Sequence, residues 1–429
     1  MKRLALLSVL FAVSGVLSAS FSLRDAQQLL LENNHTIRGA ELELEKAEAA
    51  VKESKAAWLP SVDANASTIV NSQMNRIDLS LPIGDFEQEF GTYDRTEFGI
   101  DISYPFFTGF ARKYGIVEKR EEVRFREAML EGAKNRLFLQ LGILYLRWYL
   151  SFREADLYEI LCTQLSVRSR QIEEQYEAGV VLHSRLLEVQ ARKRMADADL
   201  VASLQKTDSL RYELLSFVGG SGDSLVPDTS ATAFDFSLPP EAGEIDTTRP
   251  ELIGFSKSRL RIDYLRRVLK SSRMPVVAGM AGVRYARPGL AMGDDSFMGY
   301  GLVGVKLSWK LFDGFKYRAR DEQLRLQSDL IAEEREASYE NFEKMHILAV
   351  KRVKDLDTRL AAVREAQNAA EALAEDLEQG VDAGVVTQAD YLNALAAVTQ
   401  SRLAVERVVI SGKMAVLQAL YAAGTALTY

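Results

Sequence analysis

The stretch LSWKLFDGF at 307–315 has a counterpart, ISYPFFTGF at 102–110, and the offset of 205 residues between them recurs along the chain without a gap. Phe107, Gly109 and Phe110 fall on Phe312, Gly314 and Phe315; YEAGVV (176–181) falls on VDAGVV (381–386); Leu215 and Gly219 fall on Leu420 and Gly424. Three registers held at one offset identify an internal duplication. The chain is therefore built twice from one unit, with a first repeat at 21–218, a connector at 219–249 rich in Gly, Pro, Ser, Thr and Asp, and a second repeat at 250–429. The connector's GGSG is not followed by Gly-Lys-Ser/Thr, so it does not form a phosphate loop.

Each repeat has the same internal order. A first helix, from Leu23 to about Trp58 or from Pro250 to about Arg273, ends before a proline, Pro60 or Pro275, that cannot continue it. Strands follow. In the second repeat Val303, Val305, Leu307, Trp309 and Leu311 alternate with Gly304, Lys306, Ser308 and Lys310; in the first, Phe98, Ile100, Ile102 and Tyr104 alternate with Gly99, Asp101 and Ser103. Each is a strand with one apolar and one polar face. The pattern predicts two strands per repeat, with 71–95 and 287–297 as loops. Taken alone, such strands suit an amphipathic hairpin in a soluble sheet as well as they suit a barrel in lipid.

Helical patterns then run over 111–178 and 316–383, pause at Gly179 and Gly384, and resume to Val218 and Ala423. At 1.5 Å per residue each longer helix spans about 100 Å, which a compact globule cannot house. In the second repeat Ala349, Val353, Leu356, Leu360, Val363, Gln367, Ala370, Ala374, Leu377 and Val381 step by alternating fours and threes. That seven-residue period specifies a coiled coil. A rod or scaffold accounts for the helices but leaves four amphipathic strands unexplained.

The first residues place the chain outside the cytoplasm. Lys2 and Arg3 precede an uncharged apolar run, Leu4 to Leu17, and the small residues Ser18, Ala19 and Ser20, which together read as a signal peptide over 1–20 with cleavage near 18–20. No later stretch is long and apolar enough for a membrane-spanning helix. Cys162 is the only cysteine, so the chain forms no internal disulfide and carries no lipid-attachment cysteine near the mature N-terminus. Net charge is −7, and loss of Lys2 and Arg3 with the signal makes it −9, which argues against nucleic acid as a partner.

Four strands cannot close a barrel, since the smallest membrane barrels need about eight. Copies of the chain would have to pool strands, about eight from two or about twelve from three, and periodicity does not choose between these. The loops at 71–95 and 287–297 would lie on one side of the membrane and the helices on the other.

ISYPFFTGFARKYGI and LSWKLFDGFKYRARDE resemble the doubled strand-to-helix junction of TolC-like outer-membrane efflux proteins, and YEAGVVLHSRLLEVQARK and VDAGVVTQADYLNALAAV resemble that family's helix-turn-helix tips. The order of elements matches over nearly the whole mature chain. The resemblance implies a mainly helical fold and a homotrimer: a twelve-stranded barrel in the outer membrane, four strands per chain, continued by an α-helical barrel in the periplasm. It implies an export channel rather than an enzyme, working with a periplasmic adaptor and, through it, an inner-membrane pump. The principal alternative is a secreted or periplasmic coiled-coil scaffold or adhesin; a free-standing porin would show more strands and short periplasmic turns.

Several residues acquire expected roles. Tyr104 and Trp309, near the helix-side ends of their strands, suit a membrane-interface aromatic belt. Gly179 and Gly384 supply the chain reversals at the tips, where Val180, Val181, Val385 and Val386 would be exposed and would meet the adaptor; the other reading packs these valines on neighbouring helices. Asp390 stands where the family has an acidic residue at the tunnel entrance, and a trimer would turn it into a ring of three carboxylates; otherwise it is a solvated helix-surface residue. The chain departs from the pattern nearby: Asn393 stands where a second acidic residue is expected, and Arg185 and Val381 where an acidic residue and a tyrosine latch the closed tip.

Enzymatic readings find no support. His35, His183 and His346 are scattered, with no second histidine or cysteine at metal-ligand spacing, and there is no Gly-x-Ser-x-Gly, Walker loop or H-E-x-x-H. No motif calls for a cofactor or a resident metal, and none specifies the cargo.

Overall fold

The computed structural model describes residues 19–73, 75–82, 84–90, 93–220, 225–228, 245–290, 296–383, 385–425 and 427. The signal segment up to residue 18 and the tip glycine Gly384 lie outside the described residues. In chain order the elements are β1 (Ala19–Phe21), α1 (Leu23–Asn33), α2 (His35–Ala56), β2 (Ser61–Val70), β3 (Asn75–Leu81), β4 (Gly84–Phe90), β5 (Asp94–Phe107), α3 (Ala111–Glu177), α4 (His183–Val218), β6 (Leu225–Pro227), α5 (Pro250–Ser271), β7 (Val276–Arg287), β8 (Met298–Ser308), α6 (Lys316–Asp382) and α7 (Gln388–Ala423).

The duplication is carried into the backbone. α3 and α6 are both 67 residues and α4 and α7 both 36, each pair displaced by 205 positions. The Val180 amide donates to the Gln175 carbonyl at 2.9 Å, as the Val385 amide does to Gly380 at 2.9 Å. The φ angles of Gly109 and Phe110, 60° and 68°, recur as 66° and 64° at Gly314 and Phe315. A phenylalanine in left-handed conformation costs roughly 1 kcal/mol. It recurs because the turn brings Phe110 edge-on to Phe107 at 5.6 Å, and Phe315 edge-on to Phe312 at 5.6 Å.

Two expectations are corrected. The first helix is two helices, α1 and α2, because Asn34 leaves the helical region at ψ 120° and uses its side chain to cap the second, accepting from the Thr36 amide at 2.9 Å. The polar stretch 71–95, expected as a loop, carries an antiparallel hairpin of its own, β3 with β4, so the described strands exceed four per chain. The described residues at the two ends of the connector 219–249 are packed on the rest of the chain. β6 pairs in parallel with β1, and Arg249, 2% exposed, donates to the Ala422 carbonyl at 2.7 Å and lies 3.2 Å from the Phe342 ring centroid.

The chain divides into two compact units, each drawing on both repeats. One holds 1–39, 131–249 and 338–429. Its β1–β6 pair is pinned by Tyr145, whose hydroxyl donates to the Phe21 carbonyl at 2.6 Å and accepts from the Asp228 amide at 3.0 Å. Buried Glu154 on α3 ties α4 and α7 together by accepting from Lys206 at 2.7 Å and Arg407 at 3.0 Å. Burial opposes ionisation of this carboxyl, but the two cations outweigh it and hold the carboxyl below its usual range. The heptad stripe on α6 is legible in burial, since every position from Ala349 to Val381 is buried or half-buried while the residues between are mostly exposed.

The other unit holds 40–130 and 250–337. It contains an antiparallel four-stranded sheet, in order β2-β5-β7-β8, beside the helices that flank it in sequence. Ile262, Leu324 and Ile331 form a small core between α5 and α6, closed by the Arg266–Asp321 pair at 2.9 Å. No described helix is long and apolar enough to cross a membrane.

Candidate functional site

The four-stranded sheet segregates its side chains by face. Register places Val62, Ile102, Ala281 and Val303 in one cross-strand row and Ala64, Ile100, Val283 and Gly301 in the next on the same face. Phe98 and Tyr285 continue it. Over these rows that face is apolar and open, with Val303 90% exposed, Val62 64% and Val283 58%; it turns polar only beyond them, at Thr68, Thr96 and Arg287. A contiguous apolar patch of this extent has no place in water.

The opposite face carries a charged cluster, with Met280, Tyr300 and Leu302 beside it. Asp63, Asn65, Ser67, Glu97, Asp101 and Arg284 share that face. Arg284 lies at its centre, 2.6 Å from Glu97 and 2.7 Å from Asp101, and Asn65 donates to Asp101 at 2.7 Å, so three strands are cross-linked. Glycines make room for this cluster: a Cβ on Gly99 would lie 2.6 Å from the Arg284 guanidinium, and one on Gly282 would lie 2.7 Å from the Asp101 carboxylate. The alternation showed that Asp101 faces the polar side, but pairing with Arg284 depends on a register between strands 183 residues apart, which no local pattern specifies.

The sheet is not closed. β2 and β8 each have one paired neighbour, leaving ten- and eleven-residue edges. Lipid cannot satisfy unpaired amides and carbonyls. Tyr104 stands on the apolar face near the helix-side end of β5, with its ring 5.2 Å from Phe106. Trp309 follows β8, 57% exposed, its indole N–H donating to the Arg273 carbonyl at 3.0 Å.

The second constellation lies at the α3–α4 and α6–α7 reversals. Gly179, at φ 75°, ends α3 in the left-handed conformation, with the Val180 amide closing the last turn. Of the four valines expected to be exposed, Val180 (72%) and Val385 (79%) are. Val181 and Val386 are half-buried, which corrects the expectation for those two. Val181 packs with Val381 and Leu377 on a core of Leu165, Ile172, Leu186, Tyr391 and Leu392. Val386 folds over Gly380, where an added Cβ would lie 2.5 Å from its Cγ2. Cys162 joins that core, and burial pushes its thiol up to about 11.

Asp390 is exposed at the start of α7. Its amide donates to the Thr387 hydroxyl at 3.2 Å, which makes Thr387 the cap of α7, and its carboxylate accepts from that same hydroxyl. Arg185 is exposed. Asn393 accepts from Arg192, linking α7 to α4. Sequence reasoning missed Arg168, which donates to buried Gln388 at 3.0 Å and lies 5.4 Å from the Tyr391 ring centroid, tying α3 to α7.

The sequence matches the outer membrane efflux protein family over residues 26–220 and 257–421. Curated proteins offer no match. Among solved structures, the chain superposes on the channel CusC with a TM-score of 0.79 at 14% identity, covering 95% of this chain and 93% of that one. The CmeC outer membrane channel of Campylobacter jejuni gives 0.76 at 14% identity, covering 94% and 85%, and the MtrE outer membrane channel of Neisseria gonorrhoeae gives 0.75 at 15%, covering 95% and 90%. At these identities the superpositions establish the fold, and the family match establishes the lineage. An open-edged sheet with an apolar outer face, long paired helices and a family match over most of its length make this chain a member of the outer membrane efflux protein family, an efflux channel of the outer membrane with the TolC-like fold.

Proposed function

We propose that three copies of the chain close one twelve-stranded barrel in the outer membrane and one helical tunnel in the periplasm, through which substrate delivered by an adaptor and an inner-membrane pump leaves the cell. The observation that carries this reading is the sheet: apolar over its central rows on one face, with a charged cluster on the other and two unpaired edges of nearly equal length. Pairing β8 of one copy with β2 of the next leaves no free edge and turns the Arg284 cluster toward the lumen. Extraction of the outer-membrane fraction in mild detergent, followed by native mass determination, tests it. A particle of three 47.9 kDa chains is expected, less the signal peptides; a soluble monomer would remove the barrel and favour the coiled-coil scaffold.

Gly179, Val180, Val181, Gly384, Val385 and Val386 are the proposed adaptor-docking tips, with Val180 and Val385 as the contact residues because they project into solvent while Val181 and Val386 support the turns from beneath. Changing both to aspartate should leave outer-membrane trimer at wild-type yield and reduce export by at least about tenfold, since burying an unpaired carboxylate at an interface costs several kcal/mol. Retained export with both changes in place would exclude these valines from docking.

Asp390 is proposed as the tunnel-entrance acid, a ring of three carboxylates in the trimer. Asp390→Ala should lower cation selectivity and weaken block by divalent cations in single-channel recordings. Unchanged values would leave Asp390 only its contact with the capping hydroxyl of Thr387.

A further inference from the structure

We infer that the helix-side rim of the sheet is a binding surface for the phosphodiester headgroups of anionic phospholipids. This rests on the barrel reading above and assigns the lipid chemistry that the rim would select. Lys113, Lys270, Arg273, Lys316 and Arg318 surround the strand-to-helix junctions, and all five are exposed. None forms an ion pair with a described carboxylate. Asp313, the acid nearest in sequence to Lys316, is already used, since its carboxylate accepts from the Tyr317 amide at 2.9 Å and caps α6; Asp321, the acid nearest to Arg318, is paired with Arg266 at 2.9 Å.

Two features set this rim apart from ordinary surface charge. The first is electrostatic. α3 and α6 begin here, and neither has an acidic residue in its first turn. Bases stand there instead, Lys113 in one and Lys316 and Arg318 in the other, so each helix places cations against the positive end of its own dipole. Both repeats accept this cost, and an anion docked at the rim would relieve it. The second is the contrast with the far end of the same sheet. There the described cations Arg95 and Arg287 are matched, with Glu97 at 3.5 Å and Asp94 at 3.7 Å. Among the described residues, cations without a carboxylate partner gather at the helix-side end of the sheet, where Arg273 and Arg318 lie over the Tyr317 and Phe315 rings instead, and this marks an asymmetric environment.

The apolar surroundings say what the anion is attached to. Leu311, Phe312 and Phe315 are 79%, 73% and 62% exposed, and Trp309 is fixed by its bond to the Arg273 carbonyl. A free phosphate has nothing to place against these side chains. A phospholipid does: acyl chains along the apolar face and the phosphate at the cations beside the aromatic rim.

The test uses the full-length protein purified from the outer membrane in nonionic detergent, offered phosphatidylglycerol and phosphatidylethanolamine in turn, with retained lipid read by native mass spectrometry. Wild type should retain phosphatidylglycerol about tenfold more than phosphatidylethanolamine, and the preference should weaken with salt. A Lys270→Gln, Arg273→Gln, Lys316→Gln, Arg318→Gln variant should lose it, whereas Arg95→Gln with Arg287→Gln should keep it. Equal retention of the two lipids by wild type, or an unaltered preference in the fourfold variant, overturns the inference. Failure of the barrel reading is distinguishable, because the wild-type protein would then be missing from the outer-membrane fraction, and the inference would fall with it.

Discussion

A double lysine substitution on the apolar face of the sheet, Val303→Lys with Ile100→Lys, is expected to eliminate the protein from the outer membrane. Val303 is the sixth of the eleven residues of β8 and is 90% exposed; Ile100 stands on the same face of β5, one row away, 48% exposed. At mid-strand a lysine cannot reach the headgroups, and each such charge facing the bilayer centre costs about 2–4 kcal/mol. Two per chain, repeated in each copy, exceed the stability of an ordinary domain. The control lies on the other face. Leu302→Lys with Ser103→Lys changes strand residues that share a face with Asp101, and both lysines would stand in the wet interior. The measurement is trimer recovered from outer-membrane fractions at matched expression. Loss with the first pair and recovery with the second is the expected result; equal recovery of both would mean that the apolar face does not meet lipid.

That experiment turns on a feature the sequence displayed openly. Alternation in Phe98–Tyr104 and Val303–Leu307 fixed which residues share a face, because a strand has a period of two whatever its partners. The helices were equally legible: the limits read from glycine and periodicity fall within one residue of α3 and α6, and the heptad stripe predicts burial along α6 position by position. What was not legible required a partner distant in sequence. The break at Asn34 is such a case, since the side chain that caps α2 also donates to the Phe217 carbonyl at 3.0 Å. The hairpin β3–β4 is hidden for a different reason: Ile77, Leu79 and Leu81 alternate with Arg76, Asp78 and Ser80, but the overall polarity of the segment masks that period. At the tips, the motif Gly-Val-Val was visible, but which valine points outward depends on how the last turn closes. The amide of the first valine bonds back five residues, and this leaves that side chain in solvent while the second turns onto the core.

The strand-to-helix junctions carry this distinction furthest, because the two copies of one motif should respond differently to the same change. Gly109 and Gly314 occupy matching positions and nearly matching left-handed conformations, φ 60° and 66°. Alanine at either site incurs the left-handed penalty of roughly 1–2 kcal/mol. At Gly314 nothing lies within 4 Å of the new methyl group, so the penalty should end there. At Gly109 the methyl would sit 2.6 Å from the Cβ of Met274 and 2.7 Å from the carbonyl oxygen of Ser271. Neither is the loose end of a side chain, so the end of α5 must shift away from the junction, and the cost should rise to at least about 3 kcal/mol. Thermal dissociation of the purified assembly should therefore fall much further for Gly109→Ala than for Gly314→Ala. Met274→Ala should not rescue Gly109→Ala, because it removes the flexible part of the side chain and keeps the Cβ that collides. Equal destabilisation by the two glycine changes, or full rescue by Met274→Ala, would contradict the close approach of α5 to the first junction. The expected inequality separates what the duplicated sequence shares, a backbone turn, from what only the folded chain adds, a neighbour packed against one copy of that turn and not the other.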